Sequence, residues 1–385
     1  MAESLRAEET DGAGEQESVK VGVIGLGGMG TTHASNIAET SATIAAGADV
    51  VPDIRDSFEE RFDADVFAEF ETMLEEVALD GVVVATPNAF HAPAAVAALE
   101  RDIPVLVEKP LADTLENAER IAEAAAESEA FGMVGFHNRF CASADLFREF
   151  HARGDFGDIE HIEANYLRRR GIPGLGSWFT SKELSGGGAL IDIGVHVLDF
   201  ALYLAGSPAV TDVSGVTRTS FGNRKEYADP DNWGSNWDQA DQNFDVEDSA
   251  TAFIRCENGT TITLDVSWAT NREPNAGVVV RGTDAGASLS LGGDTLSINT
   301  TGTDGHDHYA ESEYSAKRDP SGHRAEDELF VECLATGETP GTNTIEEGLN
   351  IQRVLDAIYR SSEAGHSVSC ESESVEGERE ARPVQ

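Results

Sequence analysis

The chain has 385 residues, and 27 Lys plus Arg stand against 70 Asp plus Glu, a formal charge of −43 at pH 7. Such a surface repels phosphate backbones, so nucleic acid is excluded as an expected partner. The carboxylates are spread through periodic apolar segments, which describes a folded acidic protein, and the length suits two packed domains.

Cys141, Cys256, Cys333 and Cys370 are scattered without a Cys-x-x-Cys pair, so neither a zinc knuckle nor a disulfide framework is expected and a reducing compartment fits. Repulsion among so many carboxylates is screened only at high ionic strength, which points to a halophilic protein in a salt-rich cytoplasm. The opening segment MAESLRAEETDGAGEQES lacks the basic start and apolar stretch of a secretion signal, and no apolar run approaches membrane-spanning length. A soluble cytoplasmic protein with no membrane partner is expected.

In chain order, VKVGVIG is a strand that breaks into glycines, and THASNIAET continues as a helix. The alternation repeats: ATIAAGAD as strand, IRDSFEERF as helix, DGVVVAT as strand, HAPAAVAALER as helix, IPVLVEK as strand, TLENAERIAEAAAESEA as helix and FGMVGF as strand. This pattern predicts an α/β unit with a doubly wound parallel sheet. Runs such as Val82–Val84 and Val105–Val107 suit strands buried on both faces. Beyond about Phe140 the segments lengthen and alternate, as in IEHIEANYLRRR and SATAFIRCENGTTITLDVSWA, where ENGT reads as a hairpin turn. Residues 221–245 read as a long polar loop, and IEEGLNIQRVLDAIYRSSEAG as an amphipathic helix. The expected plan is a disordered acidic tail over 1–18, a Rossmann domain over 19–140, an α+β domain with a large, mostly antiparallel sheet over 141–368, and an acidic tail over 369–385.

Gly25, Gly27 and Gly30 form G-x-G-x-x-G, enclosing Gly28 and Met29, where the first strand hands over to a helix. The first glycine permits a tight turn, the second lets backbone approach a pyrophosphate, and the third allows helix to pack on strand. Asp49 follows at the end of the second strand, placed to accept hydrogen bonds from an adenosine ribose and to repel a 2′-phosphate. NAD is the expected cofactor, and the nearby Arg55 leaves NADP possible.

Lys109 ends the strand IPVLVEK, at the carboxyl ends of the strands, beyond which ligands collect in such folds. An ordinary surface pair with Glu108 is the plain alternative. In SGGGALIDIGVHVLDF, Asp192 and His196 are four residues apart and share one face of an apolar helix. A local Asp–His hydrogen bond in the core explains them equally well without chemistry. His306, His308 and His323 lack metal-ligand spacing, and no metal is expected.

GLGGMGTTHASNI, ATPNAFHAPAAVAALERDIPVLVEKPLADT and GGGALIDIGVHVLDF, in that order, resemble the glucose-fructose oxidoreductase, inositol dehydrogenase and MocA family from about Val19 to Ser367. The resemblance implies a nicotinamide held between a Rossmann domain and a second domain, a sugar or polyol substrate, and a catalytic set of Lys109, Asp192 and His196. On that reading His196 is the base, Lys109 stabilises the developing alkoxide, and Asp192 orients the imidazole or grips a neighbouring hydroxyl. Thr86, Pro87, Asn88 and His91 resemble the loop beside the dinucleotide, which Glu108 and Lys109 also border. The family often holds the lysine–proline bond cis.

Asn138, Arg139, Arg168 and Trp178 are candidate substrate contacts, and homo-oligomers, dimer or tetramer, built on the open face of the second sheet are the family expectation. The expected activity is NAD(P)-dependent oxidation of a sugar, sugar acid or cyclitol hydroxyl. A glycosidase using NAD as a recycled oxidant and a non-catalytic dinucleotide sensor remain open on the same fold.

Overall fold

A computed structural model describes residues 18–174, 176–230 and 244–370. Its first unit runs β1 (Lys20–Ile24), α1 (Gly28–Ala38), β2 (Thr43–Ala48), α2 (Pro52–Phe62), β3 (Asp65–Phe67), α3 (Phe70–Glu76), β4 (Gly81–Val84), α4 (His91–Leu99), β5 (Val105–Val107), α5 (Leu115–Glu127) and β6 (Gly132–Val134). The short β3 and α3 carry too few apolar residues to stand out in the sequence. The strands lie in the order β3-β2-β1-β4-β5-β6, each neighbouring pair parallel. The order reverses between β1 and β4, which opens a crevice beyond their carboxyl ends.

The second unit continues with α6 (Ala142–Ala152), β7 (Ile159–Leu167), α7 (Lys182–Ser185), α8 (Val195–Leu204), β8 (Val210–Arg218), β9 (Ser249–Cys256), β10 (Thr261–Ser267), β11 (Asn275–Gly282), β12 (Ala285–Ser290), β13 (Thr295–Gly302), β14 (His308–Ser315), α9 (Gly322–Thr336), α10 (Ile345–Ala364) and β15 (Val368–Ser369). Its nine strands are ordered β14-β13-β12-β11-β7-β10-β9-β8-β15. Every pair is antiparallel except β7 with β10, which run parallel. The hairpin at ENGT is β9–β10, paired from Arg255 with Thr261 to Ser249 with Ser267.

The two faces of the first sheet are covered by different partners. Val21, Val23, Val83, Leu106 and Met133 form one core with Ala34 and Ile37 of α1 and with Phe330 and Val331 of α9. Helix α9 thus returns to the first unit after β7–β14 of the second sheet, with only the short β15 still to come. Val82, Val84, Val105 and Val107 belong to a second core that runs on through Leu198, Ile262 and Leu355 into the nine-stranded sheet. The shared core fixes the two units against each other.

Helical residues Lys182–Leu204 form a run of 23 that holds an 18-residue stretch of mean hydropathy 1.5, long and apolar enough to cross a membrane, contrary to the expectation that no run approaches that length. This run is mostly buried inside the protein. Val368 and Ser369 pair with β8 and Cys370 is buried, so the second tail does not begin at 369. The tail residues 1–17 and 371–385, and 231–243 of the polar loop, lie outside the described residues. The loop's described ends, Phe221 and Phe244, pack with Trp268, Ile172 and Ile193.

Candidate active site

The crevice at the strand reversal is a cleft of about 800 Å³. Gly25 adopts φ 88°, and a Cβ on Gly30 would lie 1.9 Å from the Gly25 carbonyl oxygen, so the turn closes only with glycine at both places. Gly27 and Gly28 would meet nothing within 4 Å, leaving open space over the start of α1 where a pyrophosphate fits. Asp49 borders the same cleft, its carboxylate accepting the Leu26 N–H at 2.9 Å and the Val51 N–H at 2.8 Å. Arg55 donates to the Asp49 main-chain oxygen at 2.6 Å. Met29, Thr86 and Pro87 also line the cleft.

Asn88 and His91 brace the loop from beneath. Asn88 is buried and donates to Ser185 O at 2.8 Å, tying the first unit to the glycine loop of the second. His91 is buried with Nδ1 2.9 Å from Pro110 O and Nε2 3.0 Å from Thr86 O. Burial pushes its imidazole down, so the ring is neutral and donates to one of the two carbonyls.

Lys109 follows β5 on a cis Lys109–Pro110 peptide. Its ammonium donates to Asp192 O at 3.1 Å and lies 3.6 Å from Asp192 Oδ1. Glu108, just before it, accepts the Lys109 N–H through Oε2 at 3.0 Å and meets His33 through Oε1 at 2.9 Å. Burial opposes ionisation of Glu108, yet the hydrogen bond and charge of His33, helped by Lys109 and His323, hold its carboxyl well below the usual range.

Asp192 and His196 are delivered by the glycine loop. A Cβ on Gly188 would lie 1.9 Å from Glu247 O, so only glycine lets the loop pass. The buried Glu247 carboxylate accepts the Gly188 and Leu190 N–H groups at 2.9 Å and the Tyr359 hydroxyl at 3.0 Å, which pins the helix entry. Residues Leu190–Gly194 then form a π-turn before α8 begins, a widening often found at functional sites.

This turn changes what the four-residue spacing delivers. Asp192 Oδ2 accepts the Trp268 indole N–H at 2.9 Å, while His196 Nδ1 lies 3.3 Å from the Asn138 amide nitrogen. Among the described residues no hydrogen bond joins Asp192 to His196, so the expectation that the aspartate orients the imidazole is corrected: Asn138 occupies that place. His196 Nε2 has no protein partner among the described residues. Burial first, then the charge of Lys109 with those of His137, His323 and Arg168, pushes His196 well below the usual imidazole range. The ring is neutral at neutral pH.

Arg139, expected at the substrate, is buried in the interior. It pairs with Asp199 at 2.5 Å and Glu347 at 2.8 Å, and its guanidinium stacks on Phe136 and Tyr203. An arginine this buried needs carboxylate partners, which the sequence places 60 and 208 positions away. Within the arginine run, Arg170 bonds Ala228 O and Thr270 O. Arg168 lies over the Tyr166 ring, 5.3 Å from its centre, and acts on His196. Trp178 stacks on Phe179 at 3.8 Å, both on the cleft wall.

Four residues with no distinguishing sequence signal join the site. His137 stacks on His323 at 3.7 Å and meets His196 edge-on at 5.1 Å. Trp268, just after β10, and Glu247, just before β9, reach it from far along the chain. None of the four lies in a strand, and a lone residue in a turn, a loop or a helix start carries no periodicity that names its partner.

The fold and cleft define an NAD-binding oxidoreductase, with a glycine turn at the reversal of a doubly wound sheet, Lys109 and Asp192 on the cleft wall, and His196 four residues beyond Asp192. Residues 19–136 match the oxidoreductase family with an NAD-binding Rossmann fold, and residues 145–288 the GFO/IDH/MocA C-terminal domain. The chain belongs to the GFO/IDH/MocA family. It is 35% identical over 307 residues to a D-glucoside 3-dehydrogenase of Escherichia coli strain K12, covering 79% of this chain and 83% of that protein. A levoglucosan dehydrogenase in complex with NADH superposes with TM-score 0.80 at 23% identity, covering 92% of this chain and 100% of that one. GenD2 from gentamicin A biosynthesis, in complex with NAD, superposes with TM-score 0.74 at 27% identity, covering 92% and 97%.

Proposed function

We propose that this protein oxidises a secondary ring hydroxyl of a sugar or cyclitol, with a glucoside-type pyranose as the first candidate and NAD as acceptor. The observation that carries the reading is the Lys109 ammonium 3.6 Å from the Asp192 carboxylate, both on the wall of the dinucleotide cleft, with Asp192 four residues before His196. When bound, NAD accepts the hydride from the substrate carbon. Lys109 donates a hydrogen bond to the reacting oxygen and stabilises the negative charge that develops there. His196, neutral and half-buried, takes the hydroxyl proton. With the Asn138 amide turned so that its oxygen accepts from Nδ1–H, the Nε2 lone pair of His196 serves as that base. Asp192, held by Trp268, grips a neighbouring hydroxyl. Arg168 and Trp178 frame the substrate opening.

Asp49 at the cleft rim supports NAD over NADP, and Arg55, already bonded to the main chain, is no ready phosphate clamp. The −43 charge supports a halophilic, cytoplasmic enzyme whose activity rises from dilute buffer to molar KCl. β7, β9 and β10 turn Ile162, Ala252 and Leu264 inward, leaving Glu163, Thr251 and Thr263 on an outer face that supports a homodimer or homotetramer.

The test follows absorbance at about 340 nm with polyols, aldoses and glycosides in molar KCl, beside a release assay on aryl glycosides. Reduction of NAD with at least one sugar supports the reading. Release of aglycone without net NADH, or NADH binding with no turnover on any of them, overturns it.

A further inference from the structure

His33 stands on α1, the helix whose first residues make the glycine turn, and it is fully buried. Both of its ring nitrogens meet carboxylates: Nδ1 lies 2.6 Å from Asp327 Oδ1 and Nε2 lies 2.9 Å from Glu108 Oε1. An ionised carboxylate only accepts, so a ring with both nitrogens protonated satisfies both contacts at once. Burial opposes that charge, but Asp327 and then Glu108 overcome it and hold His33 well above the usual imidazole range.

The surroundings complete the knot. Asn36 donates to Asp327 Oδ2 at 2.8 Å, and Asn343 donates to Glu326 Oε1 at 2.9 Å. Burial, with the charges of Glu108 and Asp327, pushes Glu326 well above the usual carboxyl range, so it adds no charge. The remaining titratable neighbours are His323, whose ring centre lies 5.8 Å from that of His33, with His137 stacked beyond it, and Lys109 on the far side of Glu108. Among the described residues Glu108 is the one carboxylate that touches both His33 and the Lys109 main chain.

We propose that His33 is a positioning residue for Lys109: its imidazolium anchors Glu108, Glu108 anchors the lysine main chain, and one helix thereby sets both the dinucleotide turn and the catalytic ammonium. Asp327 completes the charge balance from α9. Remove the imidazolium and two buried carboxylates are left facing each other, with Glu108 free to turn away. Displacement of a reacting group by about 1 Å costs on the order of a hundredfold in rate.

The kinetic arm of the test rests on the proposed sugar oxidation, and the exchange arm stands without it. His33→Gln keeps one donor and no charge. It lowers kcat about 10- to 100-fold and raises the primary deuterium isotope effect on a carbon-deuterated sugar, while NADH affinity by fluorescence titration stays within about threefold. Amide exchange across residues 105–112 of the intact protein becomes faster.

Two further variants separate positioning from a general loss of fold. Glu108→Gln shares the kinetic loss, whereas Asp327→Asn, which lets a neutral ring still donate to Glu108, keeps kcat within about threefold. Equal losses of kcat and thermal midpoint in Glu108→Gln and Asp327→Asn overturn the proposal. So does unchanged exchange across residues 105–112 in His33→Gln, or, where His33→Gln does not fold, in Glu108→Gln. If the wild type oxidises no sugar, the proposed function fails and the exchange arm alone decides on His33.

Discussion

Trp268 donates its indole N–H to the Asp192 carboxylate at 2.9 Å, across 76 positions of sequence. The tryptophan is fully buried just beyond β10, and the aspartate sits on the π-turn before α8. One Asp192 oxygen is therefore held by the second sheet while the other lies 3.6 Å from Lys109. The carboxylate is a bridge between the two units rather than a partner of His196.

Trp268→Phe keeps the ring packing and removes the donor. A hydrogen bond to a charged group is worth about 1.5–3 kcal/mol, so kcat/KM for the sugar should fall about 10- to 100-fold. NADH affinity should hold. Steady-state kinetics beside fluorescence titration check this, and an unchanged kcat/KM means that the indole bond has no part in placing Asp192.

Lys109→Met and His196→Ala should each lower kcat by at least about a hundredfold, the lower end of what an acid–base group contributes. Folding and NADH binding should be nearly intact, because neither change touches the turn at Gly25–Gly30 or Asp49, the residues proposed to hold the dinucleotide. The double variant should lose much less than the product of the two, since both groups act on one oxygen in one transition state. Near-wild-type turnover in either single variant would remove that residue from the chemistry.

Asp49→Ser should narrow or reverse the preference for NAD over NADP. The carboxylate repels a 2′-phosphate, and serine does not. The ratio of kcat/KM for the two cofactors, measured in matched KCl, reads this directly. A wild type that prefers NADP contradicts the assignment.

The imidazoles of the site should cost stability on the acid side. His91, His137, His196 and His323 are held below the ordinary value of 6.5, with burial the main cause at each. Each stays neutral in the folded protein where the unfolded chain takes up a proton, so stability is lost as pH drops below 6.5, down to about 3 for His137. His33 acts in the opposite sense: its contribution is complete below 6.5 and fades as pH rises through its elevated folded value. His161 is lowered as well, while the buried carboxyls of Asp199, Glu247 and Glu326, whose values are raised, act in the same sense as His33. His137→Phe, which retains the stack on His323, should flatten the fall of the thermal midpoint between about pH 7 and about pH 5. Parallel curves for variant and wild type would show that His137 takes no part.

Local chemistry made part of this protein legible from its sequence. The run of valines, the glycine turn and Asp49 at the end of β2 announce a doubly wound sheet and its dinucleotide cleft, because strand burial and positive φ constrain residue type directly. Lys109 was legible for the same reason: a strand end at the crevice leaves one place for it. Tertiary structure alone decided who holds whom. The four-residue spacing placed Asp192 and His196 on one helix, but the π-turn and two distant partners, Trp268 and Asn138, separated their tasks. Arg139 was placed correctly after its strand and still misread, since its carboxylates arrive from α8 and α10. His33 gave no sign of its role, because Asp327 reaches it across 294 positions. Periodicity and turn chemistry act between near neighbours, and the partner of a buried charge is settled only when distant segments pack.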